Sequence, residues 1–318
     1  MSAGESNKAV VAALAANLGI AVTKFVAFAL TRSSSMLAEG IHSVVDSGNQ
    51  VLLLIGGRKA VRKATAKHPF GFGRERYIYA FIVSIMLFFV GGLLALYEAY
   101  HKISHPEPIT SWQWVPVLVL VISIVLESLS LRTAVGETNE IRGGVSWVEF
   151  VRRSRIPELP VVLLEDTAAL IGLVFALFGV GLTLLTGNGV WDGVGTAAIG
   201  LLLVAVAFVL AVETKSLLLG EAATPETVDA IERAILAGDE AERIIHMRTV
   251  HVGPEDLLVA AKIAVRHDET AAAVARGIDA IERRIRAAVP IAKMIFLEPD
   301  IDRTPAAGRG TEPALTEG

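Results

Sequence analysis

The stretch Leu159–Thr186 reads LPVVLLEDTAALIGLVFALFGVGLTLLT, and it decides the fold. An α-helix crosses a hydrocarbon core with about 20 predominantly apolar residues. This run exceeds that length, and its only charged residues are the adjacent acids Glu165 and Asp166. Working outward, the same pattern recurs at Ala9–Leu30, Met36–Gly56, Tyr77–Tyr100, Trp114–Val135 and Val190–Val212. The expectation is a helical membrane protein with six spans over residues 1–220. The composition agrees: the 318 residues are 53% hydrophobic and 19% charged, with a mean hydropathy of +0.55. A soluble domain of this size carries more charge and less apolar surface.

The net charge of −4 argues against nucleic acid, which selects basic faces. The chain has no cysteine, which excludes disulfides and thiolate metal sites. Any metal must be held by His, Asp, Glu or main-chain oxygen. Met1–Asn7 carries an acid and precedes too long an apolar run for a cleavable signal. Basic residues are one-sided. Arg58, Lys59, Arg62, Lys63, Lys67, Arg74 and Arg76 follow the second run, and Arg132, Arg142, Arg152, Arg153 and Arg155 follow the fourth. The opposite side offers Arg32 and Lys102. Positive charge stays on the cytoplasmic side, so both termini are expected there, in a cell inner or plasma membrane or on the matrix side of an organelle.

After Leu219 the chain changes character. Thr224-Pro225-Glu226 signals a helix start, and Val228, Ile231 and Ile235 form its apolar face. Ile244–His251 and Leu257–Val265 alternate as strands around the turn Gly253-Pro254-Glu255-Asp256. Ala271–Ala288 carries a helical stripe at Val274, Ile278, Ile281 and Ile285, and Lys293–Leu297 is a last strand. Residues 221–303 thus read as a ferredoxin-like α+β domain, two helices on one face of a three-stranded sheet. Residues 304–318, rich in Gly, Pro, Ala and Glu, read as a disordered tail.

Ionisable groups inside a bilayer cost roughly 2.5–3.5 kcal/mol each on insertion scales, so each needs a reason. Glu39, His42 and Asp46 share one stripe of the second helix, and His42 and Asp46 are one turn apart. Their imidazole and carboxylate can reach one ion, and Asp166 and Glu165 supply further oxygens from the fifth helix. Pairing with Lys24 or with one another is the structural alternative. Glu39 suits a helix-start cap. Glu127, with Ser123, Ser128 and Ser130 around it, reads equally as a proton-path carboxylate or a packing partner.

Two segments then carry a resemblance. SSMLAEGIHSVVD at Ser34–Asp46 resembles the second-helix signature of the cation diffusion facilitators, and HPFGFGRERY at His68–Tyr77 resembles the entry to their third helix. VVLLEDTAA at Val161–Ala169 and ESLSLRTAVGETN at Glu127–Asn139 look most like the zinc transporter 9 branch. The resemblance implies a proton-coupled antiporter, not an enzyme, that exports Zn²⁺ from the cytoplasm as a homodimer joined through its C-terminal domain. Zinc is then substrate, and no cofactor is implied. His42, Asp46 and Asp166 match the family's transport ligands. The family's further fifth-helix ligand falls on Val162, so either water or Glu165 takes the fourth place. An oxygen-rich site also suits Mn²⁺, Fe²⁺ or Co²⁺. Phe72, Ala275 and Phe296 stand where accessory ligands are expected, leaving His68 and His246 isolated, with Glu298 a rough match to an acidic ligand. No dinuclear site is therefore expected in the tail, and His251 and His267 read as strand-surface residues. A scaffold that transports nothing is a second reading. An intramembrane protease is a third, disfavoured by the lack of an HExxH-type motif.

Overall fold

The computed structural model describes residues 3–31, 34–106 and 113–301; the side chains of residues 3–7, 31, 34–39, 41, 42 and 45 lie outside that description. The expected disordered tail at 304–318 also lies outside it. The chain divides into two compact units that part at Gly220.

The first unit consists of long helices: α1 (Ala3–Thr31), α2 (Ser34–Ala60), α3 (Glu75–Met86) continued through a π-helical segment (Leu87–Leu93) into α4 (Leu94–Ser104), α5 (Trp114–Arg142), α7 (Glu158–Thr186) and α8 (Val190–Leu219). A short α6 (Trp147–Arg153) lies between α5 and α7. Five of these rods are long and apolar enough to cross a membrane: Lys8–Leu30, Glu75–Ser104, Trp114–Arg142, Glu158–Thr186 and Val190–Leu219. The chain is an integral membrane protein. α2 has spanning length but carries the polar stripe.

Between the rods, buried residues are small or aliphatic: Ala9, Val10, Ala13, Val83, Ala134, Leu159, Val162, Ala207 and Leu210. Elsewhere large apolar side chains point outward, among them Val22, Phe89, Phe178, Leu201 and Phe208. A soluble fold would bury these; a lipid-facing one displays them. Among the described residues the closest backbone approach is between α7 and α8, where a Cβ on Gly179 would meet the Trp191 carbonyl at 2.9 Å and one on Gly195 the Phe175 carbonyl at 2.9 Å. Small residues let membrane helices close on one another in this way. By contrast, nothing lies within 4 Å of a Cβ built on Gly48, one of the glycines near the polar stripe.

The third span is not the uniform helix its hydropathy suggests. Its centre, LFFVGGL, is a π segment, and a Cβ on Gly92 there would meet the Val204 side chain on α8 at 2.6 Å. After α5, the connection to α7 is ordered. Ser146 caps α6 by accepting from the Glu149 amide, Phe150 is buried in the bundle core, and the Arg142 guanidinium lies 4.3 Å from the Trp147 ring centroid.

The second unit runs α9 (Pro225–Leu236), β1 (Arg243–Gly253), β2 (Asp256–Val265), α10 (Ala271–Ala288) and β3 (Ala292–Ile301). β1 pairs antiparallel with β2, β2 pairs parallel with β3, and the sheet order is β1-β2-β3. Thr224 caps α9 with Pro225 behind it, and Thr270 caps α10. Ile231 and Ile235 of α9 meet Ile281 and Ile285 of α10 over Leu257, Val259 and Ile263 of the sheet, forming one core. His251 is a correction: it is 3% exposed, with Nδ1 3.4 Å from the Gly253 carbonyl, at the end of β1 where its amide donates to the Glu221 carbonyl at 2.9 Å and the chain before α9 packs against the strand. His267 sits in the turn after β2, not on a strand.

Arg284 closes this unit. Its Nε donates to the Ala234 carbonyl at 2.9 Å, and Nη1 and Nη2 donate to Glu240 at 3.0 and 2.8 Å. The guanidinium thus satisfies a late carbonyl of α9 and holds the Glu240 carboxyl below the usual carboxylate range. Arg284→Ala is expected to cost about 1–2 kcal/mol, discounted for the partial exposure of both partners. Faster hydrogen exchange in α9 would register the loss. A carboxyl lowered in the folded state adds stability above its unfolded value of 4.5 and loses it as pH falls through its folded value. Glu240→Gln should therefore flatten the acid side of that exchange profile.

Candidate metal centre

The site is built around α7, where Glu165 and Asp166 are 7% and 2% exposed. Successive residues on a helix point about 100° apart, so the two acids face different neighbours. Asp166 faces α5, and the Ser130 hydroxyl donates to its Oδ2 at 2.5 Å. Glu165 faces α2: Asn49 Nδ2 donates to Oε1 at 2.9 Å and Gln50 Nε2 donates to Oε2 at 3.1 Å. Asn17 of α1 continues the chain, donating from Nδ2 to Gln50 Oε1 at 3.3 Å. Three helices are pinned at one depth by buried amides, which suits a medium with no water to compete.

Asp46 lies one turn before Asn49 on α2 and is half-buried. It sits within electrostatic range of both Glu165 and Glu127. His42 occupies α2 one turn further toward its start. The side chains of His42 and Glu39 lie outside the described residues, so their expected roles gain no geometry here. Lys24 of α1 donates from Nζ to the Ser43 hydroxyl at 2.9 Å and adds a cation to the neighbourhood. Glu127 is 5% exposed on the face of α5 that also buries Ser123, Ser130 and Ala134. Among the described residues no group of three His, Asp or Glu side chains is close enough to hold a metal. The acids converge on one level without closing into a cage.

At the start of α7, two turns before Glu165, Arg76 and Glu158 form a two-pronged ion pair, with Nη2 to Oε2 at 2.8 Å. The residues are 7% and 3% exposed. Sequence reading counted Arg76 among the loop charges and passed over Glu158; an acid immediately before the Leu-Pro start of an apolar run was the signal available. The pair joins the starts of α3 and α7, placing both on one side of the bundle.

The accessory positions have other partners. The His68 ring packs 4.8 Å from Phe72 in an exposed loop whose Thr65 and His68 exchange main-chain hydrogen bonds. Glu298 is bound at 3.1 Å by the Lys262 ammonium, which also reaches Asp300 at 3.2 Å.

Residues 10–219 match the cation efflux transmembrane domain. The chain belongs to the cation efflux family. Among its relatives, the human proton-coupled zinc antiporter SLC30A9, mitochondrial, is 38% identical over 225 residues, covering 70% of this chain and 39% of the relative. The Xenopus laevis protein of the same name is 38% identical over 228 residues, covering 70% and 40%. Metal tolerance protein C4 of Arabidopsis thaliana is 26% identical over 260 residues, covering 81% and 57%. The chain thus spans about two fifths of the length of the antiporters it matches. The similarity to the SLC30A9 antiporters extends over 70% of this chain.

Proposed function

We propose that the protein exchanges a divalent metal ion, zinc, for protons across the membrane by alternating access, with His42, Asp46 and Asp166 as transport ligands. The observation that carries this reading is the burial of Asp166, Glu127 and Glu165 in an apolar bundle beside half-buried Asp46. So many acids at one depth are stable only if cations, metal or proton, visit them. The name of the 38%-identical relative, a proton-coupled zinc antiporter, supports zinc as the ion. Metal binding requires deprotonated ligands, so acid on the release side drives unloading, His42 first because its ordinary pKa is nearest that range.

In this reading α2 is the sixth span, both termini are cytoplasmic, and the membrane is the cell's own inner or plasma membrane. The C-terminal unit joins two copies into a homodimer. Glu165, held by two amides, serves the packing of α2 on α7 rather than the ion.

The test is reconstitution in liposomes with a trapped zinc-sensitive dye and an imposed pH gradient. Zinc flux that follows the gradient and collapses with a protonophore is the expected result. Flux with manganese or iron alone would keep the mechanism and replace the ion. No flux with any of them would favour the scaffold reading.

A further inference from the structure

In this family resemblance the fourth ligand falls at position 162, where the chain has Val162, fully buried in the apolar core. The substitute nearest in sequence, Glu165, has each carboxylate oxygen engaged by an amide of α2. Using it would require breaking two buried hydrogen bonds where no water can replace them. A third acid stands at the same level. Glu127 is 5% exposed, and among the described residues no hydrogen bond or ion pair reaches its carboxylate. Its charged neighbours are Asp166, Asp46 and Lys24.

The placement of Glu127 follows from α5. Ser123, Glu127, Ser130 and Ala134 recur at helical spacing on the buried face. Ser130, three residues on, makes the 2.5 Å contact with Asp166 and so fixes that face toward α7. Glu127 is the next polar group along the same stripe, and Ser123 beyond it has a buried hydroxyl without a hydrogen-bond partner among the described residues. A carboxylate buried in this way, unbonded and beside two further acids, asks for a cation.

We propose that Glu127 is a ligand of the transported metal, supplied from α5 in place of the ligand missing at Val162. The inference rests on the transport reading above and extends the site to a third helix. With His42, Asp46 and Asp166 it gives three carboxylates and one imidazole, a set whose described members stand open in this structure and would close only on the ion; such a set favours a divalent ion tolerant of oxygen donors. Asp166 keeps the Ser130 hydrogen bond as its orienting contact while its other oxygen faces the ion.

The absence of cysteine from the chain makes a clean test. Single variants Glu127→Cys, Asp166→Cys and Glu165→Cys of the full chain in detergent are titrated with Co²⁺. A thiolate in the coordination sphere adds a sulfur-to-cobalt charge-transfer band in the near ultraviolet, which oxygen and imidazole ligands do not give. The expected result is a band in Glu127→Cys and Asp166→Cys and none in Glu165→Cys. A band in Asp166→Cys with none in Glu127→Cys would overturn the role of Glu127 and leave the transport site standing. Silence in all three would overturn the metal centre, and this inference with it. As a second readout, Glu127→Gln should raise the zinc concentration for half-maximal flux by at least about 10-fold. An unchanged value in a folded variant would also overturn the proposal.

Discussion

Asp166→Ala should abolish gradient-driven zinc flux while leaving the bundle folded. The carboxylate is 2% exposed and receives one hydrogen bond, from Ser130. Its removal deletes a buried charge, which lowers rather than raises the cost of placing α7 in lipid. The cavity left by so short a side chain is small, and Ser130 can turn its hydroxyl to a main-chain carbonyl of its own helix, as Thr133 already does toward Leu129. The loss therefore falls on the ion. Outer-shell partners of metal ligands are worth about 10–100-fold in affinity, and a direct ligand should exceed them. Ser130→Ala, acting through Asp166, should fall inside that range. The measurement is zinc flux in proteoliposomes alongside thermal unfolding in detergent. Robust flux in a folded Asp166→Ala protein would remove Asp166 from the transport site.

Breaking the Arg76–Glu158 pair should damage the fold rather than the chemistry. Both side chains are nearly sealed from water, at 8% and 4% exposure, and the contact is two-pronged. Truncating one partner strands the other charge, at a cost of about 3–5 kcal/mol. Arg76→Ala and Glu158→Ala should each lower the unfolding temperature clearly and reduce the yield of membrane-inserted protein. The double replacement Arg76→Met with Glu158→Leu should recover much of that loss, because the desolvation of both charges disappears together. A double variant no better than the singles would show that the pair's geometry, rather than its charge balance, holds the starts of α3 and α7.

Much of this was legible in the sequence. The apolar runs located the rods, since a bilayer imposes a length and an apolar composition that few other folds require. The tail unit was readable because Thr224-Pro225 and the isoleucines at 231, 235, 281 and 285 each report a local rule, cap or period. Asp166 stood out as an acid in hydrocarbon. Harder to read was direction. Glu165 and Asp166 are neighbours in sequence, and only the packing of α2 and α5 around α7 sends one to two amides and the other to Ser130. The π segment at Leu87–Leu93 was equally hidden, and it packs through Gly92 against Val204, more than a hundred residues away. α6 lay below the length at which periodicity speaks, although Ser146 with Glu149 marked its start.

The amides around Glu165 also constrain how the bundle can rearrange. Asn17, Asn49, Gln50 and Glu165 lace α1, α2 and α7 together, and Ser130 with Asp166 adds α5. Sliding any of these four rods past another would orphan polar groups where no solvent can receive them. These contacts tie the four rods into one block. Facing that block stand α8 and the third span, joined to each other through close glycine contacts such as Gly92 on Val204 and Gly200 on Leu96. The seam between block and pair carries polar ties at both ends: the Arg76–Glu158 ion pair and the Lys59 to Tyr79 hydrogen bond at one, and the Asp192 amide on the Thr183 hydroxyl at the other. In the transport reading proposed above, that seam is the slip plane: its end ties must part as the bundle rocks, and a cross-link across it should stop flux while one within the block should not.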